Sequence, residues 1–233
     1  MGLLALAIAP GLAICIFIYL KDKYNKEPLG LMLVSFILGM ASIVPAIALE
    51  KAFGIPLDQL NGQSTASIAV FAYCVVALSE EGCKLLVVRL FCYPRKAFDD
   101  PFDGILYCVI VSMGFATIEN IGYVLQHGIG AGIIRMFLSV PAHATFAVLM
   151  GYHLALAKFN PLNKGLNFFF AIFWPVVFHG TFDFFLFLDN TLLHFAGALL
   201  SFIIAIYLSR RAIQKKQALS KAFIIGVEAP PVK

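Results

Sequence analysis

Long apolar runs recur along the whole chain, and they constrain its fold more than any other feature. A helix needs about 20 apolar residues to cross the ~30 Å hydrocarbon core of a bilayer. The runs are continuously apolar, whereas strands of a membrane barrel would alternate polar and lipid-facing positions. The sequence therefore predicts an all-α, polytopic membrane helix bundle of about seven transmembrane helices. These runs are Gly2 to Leu20, Leu29 to Leu49, Thr65 to Phe91, Gly104 to Leu125, Ile133 to Ala157, Leu166 to Leu188 and Leu192 to Leu208.

Composition excludes several other classes of protein. Hydrophobic residues make up 61% of the chain and charged residues 13%, against about 25% charged in a typical soluble domain. A net charge of only +4 gives no support for nucleic-acid binding. The cysteines are odd in number and contain no CxxC pair, so we expect thiols that lie in lipid or in the core rather than disulfides or a zinc knuckle. They are Cys15, Cys74, Cys83, Cys92 and Cys108.

Basic residues predict the orientation of the chain. Of the 17 lysines and arginines, all but Lys51, Lys84 and Arg135 fall on one side of the predicted bundle. The positive-inside rule then puts the N-terminus outside and the C-terminus in the cytoplasm. We expect residues 1–209 to form the transmembrane domain. Residues 210–233 should form a basic cytoplasmic tail that begins as an interfacial helix.

Ionisable side chains inside the apolar runs carry most of the functional information, because each charge near the bilayer centre costs roughly 2.5 to 3.5 kcal/mol. Spacings of three or four residues put several of them on shared helix faces. If these faces converge, they enclose a wet cavity in which an acid or imidazole can take a proton from water and a second acid can return it to a leaving amine. The residues are Glu80, Glu81, Lys84, Glu119, His143, His179 and Asp183.

Depth along the helices complicates this convergence. At 1.5 Å per residue, Glu80 should lie about 22 Å below the outer surface. The other four should lie only about 8 to 15 Å down: Glu119, His143, His179 and Asp183. Helix tilt or shifted helix ends would have to absorb the difference.

Other polar groups are predicted to be structural. Three histidines near the ends of runs should lie at the membrane interface: His127, His153 and His194. Three acids around Pro101 should form a solvated cytoplasmic turn: Asp99, Asp100 and Asp103.

Common protease motifs are absent from the sequence, which contains no HExxH, GxSxG or GxGD pattern. A proton- or cation-coupled transporter is the main alternative to a hydrolase, since membrane acids and histidines also line ion pathways. No inverted repeat supports it. A non-catalytic scaffold that binds a single-span partner is a third possibility.

Several spaced motifs, in order along nearly the whole chain, resemble the PrsW intramembrane proteases, which are related to the type II CAAX prenyl proteases. Two departures from the wider CAAX pattern are Glu119, where those enzymes have a histidine, and Asp183, where they often have asparagine. The motifs are Ile8-Ala9-Pro10-Gly11, Tyr19-Leu20-Lys21-Asp22, Glu80-Glu81-Gly82-Cys83-Lys84, Phe102-Asp103-Gly104-Ile105, Gly114-Phe115-Ala116-Thr117-Ile118-Glu119-Asn120, His143, and His179-Gly180-Thr181-Phe182-Asp183.

The resemblance implies a multi-pass protease of the bacterial plasma membrane. Its partner would be a single-span membrane protein, an anti-sigma factor, which it would cut first on the extracytoplasmic side. The transmembrane domain, residues 1–209, would be the protease domain.

The resemblance also implies roles for individual residues. Glu80 would activate water with help from His143, while Glu81 would fix or share the proton and Lys84 would set the balance between the two acids. His179 and Asp183 would form an oxyanion-binding or metal-ligating pair. The cofactor is left open between none and zinc, the latter held by His143, His179 and Glu119.

Overall fold

The computed structural model describes residues 2–54, 63–188 and 192–226, and this part of the chain is helical without strands. The predicted all-α class is confirmed. Two π-helical segments flank α5: the first joins it to α4, and the second continues the same helical run beyond it. The helices are α1 (Gly2–Lys21), α2 (Leu29–Ala41), α3 (Ile43–Phe53), α4 (Thr65–Val70), the first π segment (Phe71–Ala77), α5 (Leu78–Val87), the second π segment (Val88–Cys92), α6 (Asp103–Phe137), α7 (Ser139–Phe159) and α8 (Lys164–Phe187), followed by α9 (Leu192–Ile225).

Five helical segments in the described residues are long and apolar enough to cross a membrane. One of them, 57 residues long, contains both α6 and α7. The polytopic membrane architecture is therefore confirmed, while the count of seven crossings and the orientation stay predictions. The five segments are Gly2–Lys21, Leu29–Phe53, Asp103–Phe159, Lys164–Phe187 and His194–Ile225.

Prolines explain two breaks that differ from the predicted runs. A proline ring inside a helix collides with the carbonyl group four residues earlier. That carbonyl belongs to Ala41 for Pro45 and to Phe137 for Pro141, and α2 and α6 end at these residues. Both prolines then lie in the first turn of the next helix, where an N–H group has no partner within the helix.

The last helix crosses the predicted boundary between the transmembrane domain and the tail. α9 runs without interruption through residues 209 and 210 to Ile225. The interval 210–225 is thus helical and continuous with the membrane segment. The end of the predicted tail, residues 227–233, lies outside the described residues.

α6 is the central helix of the bundle, packing mainly against α1, α2 and α7. Every residue from Asp103 to Thr117 is buried. Small residues permit close contact with α7: a Cβ atom on Gly104 would lie 2.5 Å from the carbonyl oxygen of Gly151. Such approaches favour packing between membrane helices. The buried half of α6 provides a rigid support for the polar groups farther along it.

The first π segment attaches α5 to α8. The Tyr73 hydroxyl lies 2.7 Å from the Thr181 hydroxyl, and a Cβ atom on Gly180 would lie 3.0 Å from the Cα atom of Tyr73. A π segment winds more widely than an α-helix, so it changes which face the following turn presents. The acids of α5, Glu80 and Glu81, follow directly and face α8.

Candidate active site

Two acids and two histidines from three helices form one buried group. Glu80 and Glu81 belong to α5, His143 to α7 and His179 to α8. One ligand atom from each residue lies within 4.8 Å of the others, and all four residues are buried. The convergence that the sequence predicted is therefore present, despite the different depths calculated for straight helices.

Glu81 occupies the centre of this group and is fully buried. Its Oε1 atom accepts a hydrogen bond of 2.7 Å from Lys84 Nζ and lies 3.0 Å from His179 Nδ1. His143 Nδ1 is 4.0 Å from the same oxygen. The second oxygen, Oε2, is buried and has no hydrogen-bond partner among the described residues. One carboxylate thus contacts both neighbouring helices and retains a free oxygen.

Lys84 supplies a positive charge next to the two acids. Its Nζ atom donates to Glu80 Oε2 at 3.1 Å and lies 3.2 Å from His143 Nδ1. The ammonium group also lies 4.0 Å from the centre of the Phe115 ring, a favourable cation–π distance. With 1% of the side chain exposed, Lys84 has little access to water, so its charge is balanced by these contacts.

Two further carboxylates contact the Nε2 atoms of the two histidine rings. His143 Nε2 lies 2.9 Å from Glu119 Oε2, and His179 Nε2 lies 3.2 Å from Asp183 Oδ2. Because Lys84 donates to the Nδ1 atom of His143, that ring carries its proton on Nε2, toward Glu119. A carboxylate on the far nitrogen of a histidine orients the ring and raises its basicity.

Arg135 belongs to the site, although the charge pattern of the sequence predicts only a basic residue on the side opposite most lysines and arginines. Its guanidinium lies 2.9 Å from Glu119 Oε1, and its Nε donates to Asn120 Oδ1 at 3.1 Å. In a straight helix the 16-residue separation from Glu119 would span about 24 Å. Gly128, with φ of +77°, breaks the helix between them and turns Arg135 back. Gly128 lies within an apolar segment, and a glycine at that position is the feature of the sequence that could have predicted this break.

A cavity of about 700 Å³ opens onto one side of the group. Glu80, His143 and His179 line it, whereas Glu81 and Lys84 are not among the described residues at its wall. Glu80 is therefore the acid of the pair that faces the space in which a substrate and water could bind. The remaining wall is mainly apolar and includes Ile43, Ile47, Phe71, Val76, Phe146 and Phe182.

The donor set fits a metal ion. Two imidazoles and two carboxylates are ordinary ligands of zinc and related ions. Glu81 has a free buried oxygen, and Glu119 and Asp183 hold the outer nitrogens of the histidines, as is common for metal-ligating histidines. Glu119, a candidate ligand in the sequence analysis, lies outside the four-residue group. Lys84 competes with an ion for the same donors.

The fold and the site together define a class: a polytopic membrane protein with buried acids and histidines beside an apolar cavity. Comparisons with known proteins specify the class further. Residues 27–223 match the model of the PrsW family of intramembrane metalloproteases. No solved structure shows significant similarity to the chain.

Similar full-length proteins come from bacteria. The chain is 35% identical to Protease PrsW of Geobacillus kaustophilus, covering 100% of this chain and 98% of that one. It is 36% identical to Protease PrsW of Oceanobacillus iheyensis over 91% of this chain and 96% of that one. For Protease PrsW of Bacillus subtilis the identity is 32%, over 79% and 83%.

The chain belongs to the PrsW family of intramembrane proteases. It is a peptidase and a multi-pass bacterial membrane protein. The resemblance drawn from the sequence motifs is confirmed.

Proposed function

We propose that this peptidase hydrolyses a peptide bond in a single-span membrane protein, an anti-sigma factor, by means of a water molecule activated at Glu80. The single observation that carries the proposal is the convergence of Glu80, Glu81, His143 and His179 beside a cavity of about 700 Å³. A water molecule and a peptide segment both fit a space of this size. The anti-sigma factor enters through the sequence resemblance to the family.

Glu80 is the proposed general base because it is the acid of the pair that lines the cavity. It takes a proton from water as the oxygen attacks the amide carbonyl carbon. The same proton then passes to the amide nitrogen as the C–N bond breaks. His143 lines the cavity as well, and its contact with Glu119 holds the ring in place for a supporting role in proton transfer.

Glu81 and Lys84 are proposed as positioning residues, since both lie behind the groups that line the cavity. Glu81 orients His179 through Nδ1, while Lys84 keeps the charge of the acid pair low. His179, held by Glu81 on Nδ1 and by Asp183 on Nε2, faces the cavity and forms part of the wall beside Glu80. In this proposal Glu80 transfers the proton, and Glu81 holds His179 in position.

The metal of the family would be held by Glu81, His143 and His179, which leaves Glu80 free to act as the base. When bound, zinc lowers the pKa of a coordinated water to about 7 and polarises a carbonyl group.

The helix ends that line the cavity support the proposed cleavage on the extracytoplasmic side. The lining residues come from α3, the first π segment, α5, the part of α6 from Phe115 onward, the start of α7 and the end of α8. These ends lie opposite the predicted cytoplasmic loops that carry most lysines and arginines. Glu50, near the end of α3, and Ser139, at the start of α7, both line the cavity.

The test is a cleavage assay with purified protein in detergent and a candidate anti-sigma factor. We expect a new fragment from the wild type, none from Glu80→Gln, and unchanged substrate binding by that variant. A strong chelator should abolish the fragment. Ion uptake into liposomes without cleavage of any candidate would instead favour the transporter and contradict the proposal.

A further inference from the structure

A second group of acids lies at the opposite end of the bundle from the active-site cavity. It consists of Glu27 before α2, Asp99 in the loop before α6, and Asp103, the first residue of α6. One carboxylate oxygen from each lies within 4.8 Å of the others. Glu27 and Asp103 are buried and Asp99 is exposed. The expected solvated turn is therefore wrong for Asp103, and Asp100 beside it is also fully buried.

Hydrogen bonds fix each of the three carboxylates in place. Glu27 accepts from the Tyr107 hydroxyl, and Asp99 accepts from Asn25 Nδ2 at 2.7 Å. Asp103 Oδ2 accepts from the backbone N–H of Asp100 at 2.6 Å. These contacts use one oxygen of each carboxylate as an acceptor. They hold the group in a defined arrangement.

Asp103 presents an oxygen that the protein leaves without a partner. Its Oδ1 atom is buried and accepts no hydrogen bond within the described part of the chain, and the residue is 0% exposed. A buried carboxylate oxygen without a donor or cation is costly. This atom is the independent indication that the group binds something positive.

The charges of the group also lack a close basic partner. Among the described residues, no ion pair within 4.0 Å joins a lysine or arginine to Glu27, Asp99 or Asp103. Asp22 lies close by and is buried as well. Burial, together with neighbouring carboxylates, raises the pKa of Asp22 to about 6 and the pKa of Glu27 to about 7. The raised pKa values mean that these carboxyls keep protons at a higher pH than free carboxyls do, and a bound divalent cation would displace those protons.

We propose that Glu27, Asp99 and Asp103 form a binding site for a hard divalent cation, magnesium or calcium. The donors are all carboxylate oxygens, which these ions prefer, and no imidazole or thiolate lies in the group. The exposed Asp99 gives the ion a route of entry. This site is chemically distinct from the acid and histidine group of the active site.

The cation acts as a structural clamp at the ends of three helices. Glu27 lies between α1 and α2, and Asp103 begins α6, so one ion joins the segments that lead into the central helix. Asp100, beside the group, accepts a hydrogen bond of 2.5 Å from Ser220 of α9. The same region therefore connects α9 to the core. An ion bound there stabilises the end of the helix bundle that is predicted to face the cytoplasm.

The test measures thermal unfolding of the full-length protein in detergent, after treatment with chelator, against added MgCl2 or CaCl2. We expect the unfolding temperature to rise and saturate, with sodium chloride at equal ionic strength giving no such rise. Asp99→Asn should weaken the apparent cation affinity by about tenfold or more, because it removes one charged ligand. Since Asp99 is exposed, this variant should fold.

Glu80→Gln is the matched control, because it removes an acid from the other group and should keep the full response to both cations. Asp103→Asn should abolish the response if it folds. The proposal would be overturned if the unfolding temperature did not change with either cation up to about 10 mM. It would also be overturned if Asp99→Asn showed the same rise in unfolding temperature as the wild type. A response lost in Glu80→Gln would equally overturn it, since the ion would then bind at the active site.

Discussion

The Nδ1 atom of His179 lies 3.0 Å from Oε1 of Glu81, although 98 residues separate them in sequence. This contact joins α5 to α8 at the point where the first π segment meets α8. Gly180, the next residue, packs against Tyr73 of that segment. The geometry of the site therefore depends on how closely these two elements approach each other.

Gly180→Ala should separate the π segment from α8 and disturb the active site. A Cβ atom at this position would lie 3.0 Å from the Cα atom of Tyr73 and closer still to its ring. Overpacking of this kind costs about 1 to 3 kcal/mol. We expect a lower unfolding temperature and a slower cleavage rate, measured on the same preparation.

Gly165→Ala, on the same helix, is the control. A Cβ atom there would have no neighbour within 4 Å, so the usual gain in helix propensity of about 0.5 to 1 kcal/mol should appear. Equal effects of the two substitutions would contradict the proposed role of the Gly180 contact.

Glu119→Gln should slow cleavage without preventing substrate binding. The substitution keeps the size of the side chain but removes the charge that holds His143 Nε2 and pairs with Arg135. Loss of such an outer carboxylate typically costs about 10- to 100-fold in activity or metal affinity. The check is kcat and KM for the same substrate, with the effect expected in kcat.

Glu50→Gln provides the comparison for Glu119. Glu50 lines the same cavity but is not among the carboxylates within 3.2 Å of either imidazole. Its substitution should have a much smaller effect on kcat. A loss of kcat as large as that of Glu119→Gln would mean that the negative charge in the cavity, rather than the orientation of the His143 ring, determines the cleavage rate.

Lys84→Met should destabilise the protein because it leaves two buried acids without their cation. Breaking a buried ion pair on one side costs about 3 to 5 kcal/mol. Lys164→Met is the control, since Lys164 is exposed at the start of α8 and should change stability by no more than about 0.5 kcal/mol. Equal unfolding temperatures for the two variants would show that Lys84 does not balance Glu80 and Glu81.

Metal content should depend on His143 and not on the other histidine of α7. We expect elemental analysis to find about one ion per chain in the wild type and much less in His143→Asn. His153→Asn should keep the ion, because His153 packs against the rings of Tyr152 and Phe170, outside the group. Metal-free wild-type protein that still cleaves its substrate would contradict a metal-assisted mechanism.

The sequence predicted which polar residues meet, because a charge in a membrane helix is costly and must face a partner. Glu80, Glu81, His143 and His179 could be selected for this reason alone. Their relative depths in the membrane could not be predicted from residue counts along straight helices. The estimate assumed straight α-helices, whereas a π segment precedes Glu80 and α6 extends beyond the predicted end of its run to Phe137.

Contacts that depend on breaks in helices were harder to predict. Arg135 reaches Glu119 because α6 turns at Gly128, whereas the charge pattern predicted only that it lies on the side opposite most basic residues. Asp100 and Asp103 have the composition of a solvated turn but are buried by the packing of α9 and the loop before α2. The residue types of a segment predict how readily it is solvated, whereas tertiary packing determines whether it is in contact with water.

A double-mutant cycle on the cleavage rate with Glu81→Gln and His179→Asn tests the central claim most directly. If the two residues act in one hydrolytic centre, each single variant should lose most activity and the double variant should be no slower than the worse single variant. Losses that multiply would mean that the two residues act independently. Full activity in either single variant would equally contradict the account.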